Sequence, residues 1–366
     1  MKHMPQPSLL ASGLLLALTI APTAFAQSGA QDSAPVIRNR SIAYVMTMEE
    51  WAMHKTPGAK AECPNGMNEG PREQFKVLFP ENGPKRTVVG TQLAREAQVY
   101  FPTPETENMP FREAVGPVVP GINLDGKVDA DDFTSPDGVK GIDNQFFRVI
   151  GCVSSYRDVA ALMVTKWRVD NSFNRVVIEL TDVDDLGSDN DVTVTTYRGL
   201  SAMLPDATGS GYMPGASQKL DMRFGKDFIS SFKGKIVDGV LITEPGDYLM
   251  PYQALANVST LLFRGLKFEV RLSQDSAEGY MGGYLDIASW YAQRQQSIST
   301  HHQSYGQESS PTVYKALTRL ADGYPDQAGH NTAISGALHV RFTQVFVDHP
   351  TRATAQAGGA AAPANR

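Results

Sequence analysis

Hydrophobic and polar positions alternate most cleanly in "LKFEVRLS". There Leu266, Phe268, Val270 and Leu272 fall on one side, and Lys267, Glu269, Arg271 and Ser273 on the other. A period of two is the signature of a half-buried β-strand. "NRVVIELT" (174–181) and "DVTVTTYRG" (191–199) flank the acidic run "DVDDLGSDN", which predicts strand, loop, strand. "GKIVDGVLIT" (234–243) predicts a strand that ends at the turn "EPGD". "ALHVRFTQVFV" (337–347) predicts a last strand with Val340, Phe342 and either Val345 or Phe346 buried. Short strands separated by turn residues, without regular strand–helix alternation, predict a mainly β fold, a β-sandwich or jelly-roll.

Three segments change period from two to about 3.6, the spacing of a helix face. "SSPTVYKALTRLADG" places Ser310 as cap, Pro311 in the first turn, and Val313, Ala316, Leu317 and Leu320 on one stripe, with Gly323 as terminator. "DNQFFRVIG" repeats the scheme, with Asp143 as cap and Phe146, Phe147 and Ile150 inward. "DIASWYAQRQQ" has Asp286 as cap and Ile287, Trp290 and Tyr291 on one face. These are expected to pack beside the sheet. A soft boundary near residue 165 separates a disulfide-tied N-terminal part, 36–165, from a strand-rich part, 166–349.

The ends of the chain follow other rules. Lys2 and His3 lead into "LLASGLLLALTI" (9–20), and Ala24-Phe25-Ala26 offers small residues for cleavage before Gln27. A short positive segment, an apolar run too short to span a bilayer and a small-x-small site predict a secretory signal peptide over 1–26. Residues 27–35 ("QSGAQDSAP") form a small, polar, disordered leader. Residues 350–366, with their Ala/Gly tail, lack the apolar content to bury a core. The destination expected is the periplasm or the extracellular space, with no integral membrane segment in the mature chain. Removal of Lys2 takes the formal charge from −6 to −7. An acidic chain without a Lys/Arg cluster excludes nucleic acid as a partner class. Cys63 and Cys152 are the two cysteines, and in an oxidising compartment they predict one disulfide.

Candidate chemistry centres on "GINLDGKVDADD" (121–132). Asn123, Asp125, Asp129 and Asp132 place oxygens at loop positions 3, 5, 9 and 12, Lys127 offers its carbonyl at 7, and Gly126 stands at 6. Calcium takes six to eight oxygens in flexible geometry, which suits carboxylates set two to four residues apart. These twelve residues resemble the loop of dockerin modules, which are related to EF-hands and close on aspartate. The resemblance implies calcium as cofactor, with Asp137, Asp143 and Asn144 near enough to complete the set. Gly121 stands where the first ligand would be, and Pro117 and Pro120 replace an entering helix. The same composition suits a solvated turn, because Asp, Asn and Gly favour turns for backbone reasons. "DVDDLGSDND" (182–191) has the acids without the glycine register.

Other chemistries leave weaker traces. "GASQK" around Ser217 lacks the second glycine of a nucleophile elbow. His301 and His302 are adjacent, and His330 and His339 are nine apart, neither of them a zinc spacing. Glu179 and Glu269 are strand acids that a glycosidase pair would need to bring to a cleft. Trp51, Trp167, Trp290, Tyr280, Tyr284 and Tyr291 are aromatic candidates for a sugar-binding strip. The expected function is that of an exported, non-catalytic binding or structural protein, stabilised by calcium, whose extracytoplasmic ligand is a glycan or a protein. The alternative is a secreted hydrolase acting on glycans through a carboxylate pair.

Overall fold

A computed structural model describes residues 37–68, 93–95, 98–100, 111–153, 156–157, 166, 169–209, 211–253, 259–296 and 310–350. The predicted signal peptide, the leader, the tail from 351, Trp167, His301 and His302 lie outside the described residues. Fifteen strands are described: β1 (Ile42–Trp51), β2 (Leu93–Arg95), β3 (Gln98–Tyr100), β4 (Phe133–Thr134), β5 (Lys140–Ile142), β6 (Val176–Thr181), β7 (Asp189–Arg198), β8 (Ala216–Lys219), β9 (Ser231–Val237), β10 (Val240–Thr243), β11 (Gly246–Pro251), β12 (Thr260–Leu272), β13 (Ser276–Asp286), β14 (Gly323–Pro325) and β15 (Asn331–Asp348).

Eight of these form a ring. Each of β1, β6, β7, β9, β10, β12, β13 and β15 pairs antiparallel with the next, and β15 pairs antiparallel with β1. β11 continues the line of β10 along the first half of β12, Gly246 opposite Leu266 and Tyr248 opposite Phe263. The protein is mainly β with a few packing helices and one disulfide, as the alternation predicts. Pairing adds that the sheet closes on itself, so its opposed, sandwich-like layers are halves of one sheet. Strands from both sides of the boundary placed near 165 share this ring, since β1 lies before it and its partners β6 and β15 after it.

The inward face is apolar and filled. Tyr44 lies opposite Ile178 and Gln344, and Phe268 opposite Met281. Tyr44, Ile178, Leu180, Tyr248, Phe263, Phe268 and Phe342 are all fully buried. Leu266, Phe268, Val270 and Leu272 point inward as their alternation predicts, and in β15 it is Val345, with Val340 and Phe342, that is buried. Outward positions carry charge, among them Lys233, Lys235, Arg271 and Arg341. That is the reverse of a transmembrane barrel, whose lipid face is apolar. Separately, no helix among the described residues is long and apolar enough to cross a membrane.

One strand prediction needs correction. "GKIVDGVLIT" is a hairpin, because Asp238 (φ 50°) and Gly239 (φ 77°) make a two-residue turn with Val237 opposite Val240. Positive φ at both turn residues matches the twist of the flanking strands, and Asp-Gly supplies it cheaply. β6 is buried on both faces, because a second layer formed by Tyr197, Met203 and Val347 covers Ala43, Val45, Val177 and Val345 on its outer side.

The helices are α1 (Phe146–Ile150), α2 (Ile287–Gln296) and α3 (Ser310–Leu320). In α2 the Asp286 carboxylate accepts from the Ser289 N–H at 2.8 Å, the predicted cap, and Ile287, Trp290 and Tyr291 are buried. Helix α3 buries Val313, Ala316 and Leu317 but ends at Leu320, and Gly323 opens β14 instead of terminating the helix. Helix α1 buries Phe146, Phe147 and Ile150, with the Phe146 ring 4.5 Å from Trp51 and 5.8 Å from Trp290. Asp143 does not cap it, for its carboxylate is turned to another backbone N–H.

Cys63 and Cys152 form the predicted disulfide across a sequence separation of 89. It ties the segment after β1 to the end of α1. Replacing both cysteines by alanine is expected to cost about 2–4 kcal/mol. The melting temperature should then fall by roughly 5–10 °C in calorimetry. Tyr248 gives the opposite expectation. Its buried hydroxyl has no hydrogen-bond partner among the described residues, beside Glu49 and Arg198. An unsatisfied buried hydroxyl is costly, so Tyr248→Phe should leave the melting temperature unchanged or raise it, by up to about 1 kcal/mol; a clear loss would show the hydroxyl to be paired.

Candidate functional site

The acidic loop 121–132 lies on the outer wall of the barrel. A side chain at Gly121 would meet Ile142 at 2.8 Å and Ala337 at 3.6 Å, so the position of the expected first ligand serves close packing. Gly126 has φ 80°, the sharp turn that its register predicts. The Asn123 amide oxygen accepts from the Gly126 N–H at 2.6 Å, and its NH2 donates to the Lys127 carbonyl at 2.7 Å. Asp125 accepts from the Lys127 N–H at 2.8 Å and pairs with its ammonium at 3.0 Å. That backbone bond, with the ammonium, holds the Asp125 carboxyl below its usual range. Asp132 accepts from the Asp129 N–H at 2.5 Å. Asn123, Asp125, Lys127 and Asp132 thus each close a local turn. Among the described residues no three His, Cys, Asp or Glu converge as a metal-holding group.

Behind the loop stands Asp143, which is only 8 % exposed and accepts from the Leu124 N–H at 2.6 Å. Burial first, and then the charges of Asp132 and Asp125, push its carboxyl up to about 7 against that hydrogen bond. Asn144, expected as a further ligand, donates instead to the carbonyls of Ala52 and Pro120, both at 2.9 Å. Asp322 is a second perturbed acid. It accepts from the Ser335 N–H at 2.7 Å and hydroxyl at 2.5 Å, and Ser335 in turn accepts from the Gln145 N–H at 2.9 Å. Burial nevertheless raises Asp322 to about 6.

The remaining candidates disperse. The 182–191 loop joins β6 to β7, with Asp189 accepting from the N–H groups of Asp184 and Asp191, and Asp191 pairing with Lys233 at 3.0 Å. Glu179 pairs with His349 at 3.0 Å, and burial raises the Glu269 carboxyl. His339 faces Glu278 at 2.9 Å, away from His330, which is exposed beside Asp326. Ser217 lies on β8. Trp51, Trp290 and Tyr291 are core residues. Tyr280 packs on His339 and Tyr284 on Tyr324, both half-buried on β13.

A further aromatic cluster is built from phenylalanines that the alternation did not single out, of which Phe224 is exposed, Phe173 half-buried and Phe228 buried. Phe173, Phe224 and Phe228 meet edge to face with centroids 5.6–5.9 Å apart. They lie at the end of the barrel where β6, β9 and β12 begin. Beneath them the Arg198 guanidinium sits 4.3 Å from the Phe173 ring and 4.4 Å from Phe224. It donates to the Phe173 carbonyl at 2.9 Å and pairs with buried Asp221 at 3.2 Å. The rings border a groove of about 400 Å³, completed by Ser259, by Thr260 at the start of β12, and by Ser289, Ala292 and Gln293 of α2. Barrel mouths are a recurrent place for ligands. Comparison with protein-family models, with curated proteins and with solved structures finds no match to this chain.

Asp322 sets a pH dependence. Its folded-state pKa lies above the ordinary value of 3.8, so the folded protein holds the proton more tightly than the unfolded chain. The resulting stabilisation is present below pH ~4 and is lost as pH rises through about 6. The melting temperature is expected to fall by several degrees between pH 5 and pH 8, and the slope to flatten in Asp322→Asn, measured by thermal melts across that range. An unchanged slope in the variant would remove Asp322 as the cause.

Proposed function

We propose that this chain is an exported, non-catalytic binding protein whose barrel is clamped by its disulfide and by calcium. The observation that carries the reading is the division of labour between wall and mouth. Of the acids with raised pKa values, Asp143 and Asp322 are engaged with backbone N–H groups and Glu269 lies on β12, whereas the described lining of the mouth is a groove of rings and neutral polar residues. A groove whose described lining holds no acid or base suits recognition better than proton transfer. Export is supported by Lys2, the apolar run 9–20 and Ala24-Phe25-Ala26, and by a disulfide of the kind that persists in oxidising compartments. The periplasm or the extracellular space is the proposed place of work.

Calcium would be held by Asp125, Asp129 and Asp132 with the Asn123 amide oxygen and the Lys127 carbonyl. Like charges already crowd Asp143 from Asp125 and Asp132, and a divalent cation relieves such crowding. Binding requires the Lys127 ammonium to leave Asp125, so the affinity expected is in the weak extracellular range.

Thermal melts of the exported chain test both halves of the reading. About 5 mM calcium on a ~0.1 mM site gives about 2.3 kcal/mol over EDTA. That corresponds to a rise of roughly 4 °C, lost in the Asp125→Ala, Asp129→Ala variant. No rise removes the calcium clamp. A ligand panel in the same assay, covering neutral, acidic, basic and apolar small molecules, should give a saturable rise for at least one class. A flat response to every class overturns the binding reading.

A further inference from the structure

The geometry points to the groove at the barrel mouth as a site for a neutral saccharide. This inference rests on the binding reading above and names the ligand class. Phe224 is 40 % exposed, and its ring is held in place by Phe173, Phe228 and the Arg198 guanidinium. Arg198 is itself fixed by the Phe173 carbonyl and by Asp221, which Arg223 also grips at 2.8 Å through both carboxylate oxygens. The apolar platform is therefore rigid before any ligand arrives, which lowers the ordering cost of binding.

Gln293 decides the chemistry. It is only 4 % exposed as a residue and it lines the groove. A side-chain amide carries two donors and an acceptor, and covering them without a partner is costly. A purely apolar ligand, such as an acyl chain, would cover it without satisfying it. A charged ligand would find no charged side chain among the described residues that line the groove. A sugar ring meets both demands. Its C–H face lies on exposed aromatic surface, while its hydroxyls donate to and accept from the amide of Gln293, with Ser259 and Thr260 nearby.

Titration calorimetry on the full exported chain tests the assignment with malto-, cello-, xylo- and chito-oligosaccharides, and with decanoate as the apolar control. At least one neutral oligosaccharide should bind saturably. Phe224→Ala should weaken it at least tenfold with little change in melting temperature, because that ring is partly in solvent. Gln293→Leu, close in volume, should weaken the same sugar and improve decanoate. A sugar that binds both variants as well as the parent places its site elsewhere and overturns this inference while leaving the binding reading intact. Binding of decanoate alone, or of none of these sugars, overturns the ligand class.

Discussion

Pairing between β1 and β15 is the constraint on which the rest depends. Thr47 and Arg341, which meet across this seam, are 294 positions apart in sequence. An open sheet leaves a row of unpaired N–H and C=O groups at each edge. The seam lets the eight-stranded ring complete its own ladder instead. Closure also separates two environments. The inner face takes large apolar side chains from every strand of the ring, and the outer face takes Lys233, Lys235, Arg271 and Arg341. Whatever the chain binds must then be met by the outer wall or by the mouths.

Wall and mouth have distinct electrostatics. On the wall, burial and then the charges of Asp132 and Asp125 raise the cost of ionising Asp143, and protein donors meet much of the loop's charge. At the mouth, the charges of Arg198 and Asp221 neutralise each other in the interior, and the described residues that reach the groove are rings and uncharged groups. An ion suits the first setting and a hydroxylated neutral molecule the second.

The sequence made individual elements legible where one physical cause acted alone. β12 shows strict alternation because one of its faces meets the core and the other water. Asp286 acts as the cap its sequence predicts because one carboxylate oxygen takes the Ser289 N–H while the other pairs with Arg264, whereas the Asp143 carboxylate is drawn to the Leu124 N–H. The two strands in "GKIVDGVLIT" read as one because apolar residues run up to the turn on both sides, although Asp238-Gly239 carried the hairpin signal. The disulfide followed from cysteine arithmetic and compartment. The ring was not legible, since strand partners hundreds of residues apart leave no local period. The groove was hidden for the same reason. Phe173 lies in a 3-10 turn, Phe224 and Phe228 between strands, and Gln293 on a helix, and only the closed barrel brings them together.

The seam also sets an order of events. The first strand of the ring finds its last partner only after nearly the whole chain has been made. Contacts so distant in sequence put the protein at the high end of contact order, where folding is slow. Until β15 arrives, β1 offers a strand whose first five residues are all apolar and end up buried, an edge that holding chaperones recognise and that aggregates readily if left alone. If the chain is exported as proposed, the same delay keeps it threadable until its final strand has crossed.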